Sequence, residues 1–186
     1  MKEKTIPPDL AACIAFHGHL CPGVVIGYRA AKHALKKLGA ERAADEELLC
    51  ITMTDSCPVD AIQFLTGCTL GKGNLILRDY GKMVFIFLIR SNTRLVNGIR
   101  VSLRQPPEKK KNRTKKDIAM SMLSSADNTL FKTRRLKEYA VPERARIFSS
   151  LPCAVCGERT MEPRLTVKDG KLICPECCPE AYTRGW

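Results

Sequence analysis

The stretch LLCITMTDSCPVDAIQFLTG, Leu48 to Gly67, decides the fold class. Its first part, Leu48 to Thr54, is a short apolar run bounded by polar residues and reads as a buried strand. Pro58 suits the first turn of a helix and Gly67 suits its end, so VDAIQFLTG is a predicted helix of about two turns. Upstream, residues 8 to 16 read as a short helix. Val24 to Leu38 reads as a longer one, with Val24, Tyr28, Ala31, Leu35 and Leu38 at spacings of three and four and Gly39 as its stop. Downstream, GCTLGKGN, Gly67 to Asn74, reads as a loop. MVFIFLIR, Met83 to Arg90, and RLVNGIRVSLR, Arg94 to Arg104, read as strands joined through Ser91-Asn92-Thr93. Helices interleaved with strands predict an α+β fold with a mixed β-sheet flanked by helices.

The composition supports a packed domain and excludes other classes. Apolar residues make up 45% of the 186 positions, enough for a core. The longest apolar run, Met83 to Ile89, is far short of the roughly 20 residues that a bilayer-spanning helix needs. MKEKTIPPDL lacks the apolar stretch of a secretory leader, so the expectation is a cytoplasmic protein that engages no membrane. Ten cysteines without an export signal point to metal or thiol chemistry rather than to disulfides.

Charge is local. Of a net +12, the stretch Arg94 to Arg146 carries 15 basic against 5 acidic residues. RQPPEKKKNRTKK, Arg104 to Lys116, reads as an exposed linker, or alternatively as a patch for nucleic acid or an anionic protein. From Asp117 onward the sequence predicts two short helical stretches with Asp127 as a cap between them. The predicted domains are 1–149, a core that includes a basic helical linker over about 104–149, and 150–186.

The second domain rests on Cys153-Ala-Val-Cys156-Gly and, 17 residues later, Cys174-Pro-Glu-Cys177. Two residues between thiolates let one turn present both sulfurs to one ion, and two such turns give the tetrahedral four-cysteine set of structural zinc. Asp169-Gly170 reads as the primed turn of a hairpin between the pairs. About 35 residues hold too little core to fold alone, so the zinc would supply much of the stability. Cys178 is the spare. A short helix from Cys177 onward would make this zinc finger a zinc ribbon or a treble clef.

In the core domain, Phe16-His17-Gly18-His19-Leu20-Cys21-Pro22-Gly23 puts two imidazoles and a thiol within five residues. Pro22 places Cys21 at the N-cap of the Val24 helix, and Asp55-Ser56-Cys57-Pro58 repeats the arrangement for the next one. Thiols at helix N-termini are expected to be acidified. His17, His19, Cys21 and Cys57 are therefore the candidate catalytic and metal-binding set, suited to a second metal such as zinc with a coordination position left for water or substrate. Cys13, Cys50 and Cys68 read as buried small apolar residues, and His33, among lysines, as a surface residue. The loop Gly67 to Asn74 is not a Walker sequence, but its backbone N–H groups and Lys72 offer a place for an anion.

FHGHLCPGVVIGYRA, DSCPVDAIQFLTGCTLGKGNL and GKMVFIF, in that order, resemble the FmdE family, named for the FmdE component of formylmethanofuran dehydrogenase, over about residues 10–100. The resemblance implies an α+β core, a homodimer and a metal-binding active site lined by Cys and His. His17, His19 and Cys21 fall in its HGHxCPG motif, Cys57 before DAIQ, and Cys68 and Lys72, as cofactor-binding residues, in TGCTxGKGN. Some members carry a C-terminal zinc finger. The family is associated with the molybdenum or tungsten enzyme of methanogenic one-carbon metabolism, which implies an oxidoreductase component with the other dehydrogenase subunits as partners. The basic stretch and the zinc appendage keep two other readings open: a regulatory or scaffold protein for nucleic acid or an anionic partner, and an accessory protein that delivers metal or cofactor to a molybdoenzyme.

Overall fold

A computed structural model describes residues 5–90, 97–104 and 113–181. Three helices share one grammar. The first, α1, is Pro8–His17, α2 is Pro22–Leu38, and α3 is Pro58–Thr66. Each begins with proline in its first turn, where a missing N–H costs nothing. Each ends on a left-handed glycine, Gly18, Gly39 or Gly67, whose N–H closes the last turn on a carbonyl.

Five strands form one sheet: β1 (Leu48–Thr52), β2 (Leu75–Leu77), β3 (Val84–Ile89), β4 (Asn97–Leu103) and β5 (Phe131–Leu136), in the order β2-β1-β3-β4-β5. The β1–β2 pair is parallel, the remaining pairs are antiparallel, and the sheet is therefore mixed. Registers Cys50↔Phe87 and Phe87↔Ile99 put alternate residues of neighbouring strands on one face. There Cys50, Phe85, Phe87, Ile99, Val101 and Phe131 pack with Ile26, Ala30, Ala31 and Ala34 of α2. The alanines let α2 lie close on the sheet. On the other face Leu49, Ile51, Ile86, Leu88 and Leu136 form a second layer with Tyr139 packed against it. The Arg90 guanidinium donates to the carbonyls of Pro142 and Glu143, tying the segment after β5 to the end of β3.

Two strands depart from the sequence reading. FKTRRL, expected within a helical stretch, is the edge strand β5, because Phe131 and Leu136 gain buried sites by pairing with β4. Leu75–Leu77 continues the expected loop as β2. The helical stretches are α4 (Lys115–Ser124), with a Thr114–Asp117 capping box, and α5 (Asp127–Leu130), whose N-cap is Ala126 rather than Asp127. Arg29 closes the end of α4 by donating to the carbonyls of Met122, Leu123 and Ser125, and to the Asp127 carboxylate at 2.7 Å. His33 is not on the surface. It is 8% exposed, held between Asp127 and Thr133 at 2.9 Å each. The expected Ser91-Asn92-Thr93 turn and residues 105–112 of the Arg104 to Lys116 run lie outside the described residues.

The chain divides into two compact units, Met1–Arg144 and Ala145–Trp186. The second unit contains two hairpins, β6 (Ser150–Pro152) with β7 (Arg159–Met161), and β8 (Thr166–Lys168) with β9 (Lys171–Ile173). Asp169 and Gly170, at φ 50° and 71°, make the primed turn of the second. After Cys177 the described chain forms a short 3-10 turn, Pro179–Ala181, where a helix was expected. Among the described residues no helix is long and apolar enough to cross a membrane.

Candidate metal centres

Helices α2 and α3 approach each other closely at their N-termini because α2 has no side chain where they touch. A Cβ on Gly27 would lie 2.1 Å from the carbonyl oxygen of Pro58, and one on Gly23 would lie 2.7 Å from the Cβ of Cys57. These two glycines, one turn apart, bring the two Cys-Pro steps together. The donor atoms of His17, Cys21 and Cys57 lie within 4.8 Å of one another.

Each donor is held differently. Cys21 is the N-cap of α2, and its sulfur accepts the N–H of Val24 at 3.4 Å. Cys57 precedes α3 in a helical conformation and makes no cap bond with its side chain. Its expected acidification is reversed: burial first, and then the neighbouring Cys21 thiol, push the Cys57 thiol up. Nδ1 of His17 lies 2.6 Å from Oδ2 of Asp60, and Nε2 lies 3.8 Å from the Cys21 sulfur. A carboxylate oxygen accepts, so Nδ1 donates to Asp60 and Nε2 is the ring nitrogen turned toward the thiols. Such an arrangement fixes the tautomer of a metal-ligating histidine. Sequence reasoning missed Asp60 in this role, because an acid in the first turn of a helix has an ordinary explanation in the helix dipole.

His19 lies outside this donor set. The chain turns at Gly18, φ 99°, and leaves the His19 ring exposed against His17 with centroids 4.6 Å apart. Cys68 and Lys72 do not join it either. The Cys68 thiol is fully buried and donates to the Leu48 carbonyl at 3.5 Å. The Lys72 ammonium donates to the carbonyls of Ala43, Ala44 and Asp45. Asn74 accepts the N–H of Thr69, and Leu70 that of Gly73. The loop expected to take an anion thus turns its cation onto the carbonyls of a neighbouring loop and these two amides onto its own residues.

The second unit brings Cys153, Cys156, Cys174 and Cys177 within 4.8 Å of one another, with the sulfurs of Cys156 and Cys174 3.9 Å apart. Thiolates on a tetrahedral zinc at about 2.3 Å are separated by about 3.8 Å. Backbone N–H groups of Cys156, Cys174 and Val155 pull Cys153 down to about 6, whereas the Cys174 thiol and burial push Cys177 up to about 12. Four sulfurs this close cannot all ionise without a cation among them. The cluster can bind a metal such as zinc, and four protein ligands complete its tetrahedron. Cys178 is buried beside the set.

Residues 16–141 match the family described as FmdE, molybdenum formylmethanofuran dehydrogenase operon. An Archaeoglobus fulgidus protein named "Probable S-adenosyl-L-methionine-binding protein" is 30% identical over 195 residues, which cover 90% of this chain and 51% of that protein. The chain therefore spans about half the length of the curated relative it matches. A crystal structure of a tungsten formylmethanofuran dehydrogenase FmdE-like protein from Syntrophus aciditrophicus aligns with a TM-score of 0.69 at 24% identity, covering 94% of this chain and 92% of the other. At that identity the likeness concerns the fold.

Proposed function

The chain belongs to the FmdE family, and from that premise we propose that its core carries a reactive metal centre made by His17, Cys21 and Cys57, while the four-cysteine unit holds a structural zinc. The convergence of one imidazole and two thiols, with Asp60 orienting the imidazole, carries the reading. This donor set suits zinc with three protein ligands, a type that leaves a position for a small molecule. A zinc there would supply Lewis acidity toward an oxygen or sulfur of that molecule. Cys21 and Cys57 would bind the ion, Asp60 would hold the proton on Nδ1 of His17, and the Val24 amide would keep the Cys21 sulfur in place. The substrate class that fits the family's association is a small one-carbon or sulfur-containing compound, handled as part of a molybdenum or tungsten dehydrogenase system.

Elemental analysis of the purified full chain tests the proposal. Cys57→Ala should lower the metal content by about one ion per chain and leave the ion of the four-cysteine unit in place. Unchanged stoichiometry would remove the core centre. The name of the A. fulgidus relative adds S-adenosyl-L-methionine to the small molecules to titrate against the metal-loaded protein, in parallel with formate.

A further inference from the structure

Lys36 and Lys37 on the last turn of α2 and Arg104 just past β4 converge on one groove of about 490 Å³, between α2 and the α5–β5 junction. Its volume is that of a small-molecule site. Among the described residues, none of these three cations has a carboxylate partner. Arg104 is held through Nε, which donates to the Phe131 carbonyl at 3.3 Å. Among the described residues the one acid on the groove wall is Asp127, already engaged by Arg29 and His33.

The buried side is rigid. His33 is fixed at both ring nitrogens, by Asp127 and by the hydroxyl of Thr133, and stacks on Phe131 with centroids 6.2 Å apart. These rings are 8% and 2% exposed, so they form the base of the groove rather than its rim. Lysine in the last turn of a helix answers the helix dipole, but that does not account for a third cation brought from the end of a strand. A fixed aromatic base under three cations that have no carboxylate partner among the described residues, with the Asn128 amide beside them, is complementary to a compact, multiply charged anion.

We propose that this groove binds a small molecule through a phosphate group, with Lys36, Lys37 and Arg104 as the phosphate ligands. The site lies at the opposite end of α2 from Cys21, about 22 Å away along the helix at 1.5 Å per residue. It therefore stands or falls independently of the core metal centre.

Calorimetric titration of the full-length protein at low salt tests the assignment, with inorganic pyrophosphate, AMP and a single-stranded oligonucleotide as probes. Saturable binding of pyrophosphate or AMP is expected at one per chain. Lys36→Ala/Lys37→Ala and Arg104→Gln should each weaken it about tenfold or more, with unchanged thermal melting. Cys57→Ala should bind as the wild type does. Failure of both small probes to bind would overturn the proposal, as would affinity that survives both variants. Binding of the oligonucleotide alone would overturn it too, by marking the region as an extended polyanion surface.

Discussion

His17 and Asp60, 43 positions apart in the chain, meet at 2.6 Å, and their bond determines which imidazole nitrogen faces Cys21 and Cys57. His17 is 10% exposed in its side chain and Asp60 39%, so the carboxylate sits at the solvent side of the imidazole. Asp60→Ala should leave the three donors in the chain but free the ring to rotate. The expected loss is about 10- to 100-fold in metal affinity at the core centre, measured by competition with a chromogenic chelator. The ion of the four-cysteine unit should be retained, and an unaltered core affinity would assign Asp60 to helix capping alone.

Gly27→Ala tests the close approach of α2 and α3. A Cβ 2.1 Å from a backbone oxygen leaves no flexible group to move, so the helices must separate. Overpacking of this kind costs about 1–3 kcal/mol, and the separation should also loosen the Cys21–Cys57 pair. Gly71→Ala is the control, since a Cβ there meets nothing within 4 Å. Urea denaturation of both variants beside the wild type reads the difference, and equal midpoints would show that the contact relaxes without cost.

The helices were legible because their signals are local. A proline at the start and a glycine at the end mark α1, α2 and α3 without reference to anything else in the chain. The central strands were legible from their apolar runs, and the four clustered cysteines of the second unit from spacing alone. What failed depended on distant partners. FKTRRL is a strand only because β4 offers it a register. His33 is buried only because α5 and β5 close over a helix face that lysines on either side had marked as solvent-exposed. The carbonyls that accept from Lys72 come from residues 43–45, and its own loop sequence does not announce them. His19 and His17 are equivalent in sequence, and the left-handed Gly18 between them separates their roles.

Metal removal should act on the two units unequally. The second unit has a buried cluster of only four residues, two of its ligands, Cys153 and Cys174, with Cys178 and Ile173. Without an ion, nothing links the two cysteine pairs, and little apolar surface remains to hold the hairpins. Hydrogen exchange in the presence of a strong chelator should show residues 150–181 losing protection while β1, β3 and β4 keep theirs. Protection that persists in the hairpins would mean that the unit folds without metal.

Acid should loosen the attachment of α4 and α5 to α2. Burial acts to raise the Asp127 carboxyl, but the hydrogen bonds from Arg29 and His33 outweigh it and hold the group below its ordinary value of 3.8. A carboxyl depressed in the folded state binds fewer protons folded than unfolded. Its stabilisation is therefore complete above the unfolded value and is lost as pH falls through the folded one. Because the side chain is 42% exposed, solvent screening limits the effect, and Asp127→Asn should cost about 1 kcal/mol at neutral pH. The diagnostic is the slope. Denaturation of the wild type should grow easier as pH falls from about 5 toward 3, and the variant should show a shallower dependence over the same range. Identical slopes would place the acid sensitivity at another carboxylate, with Asp9, depressed by Lys32 and Tyr28 against the opposing effect of burial, as the next group to replace.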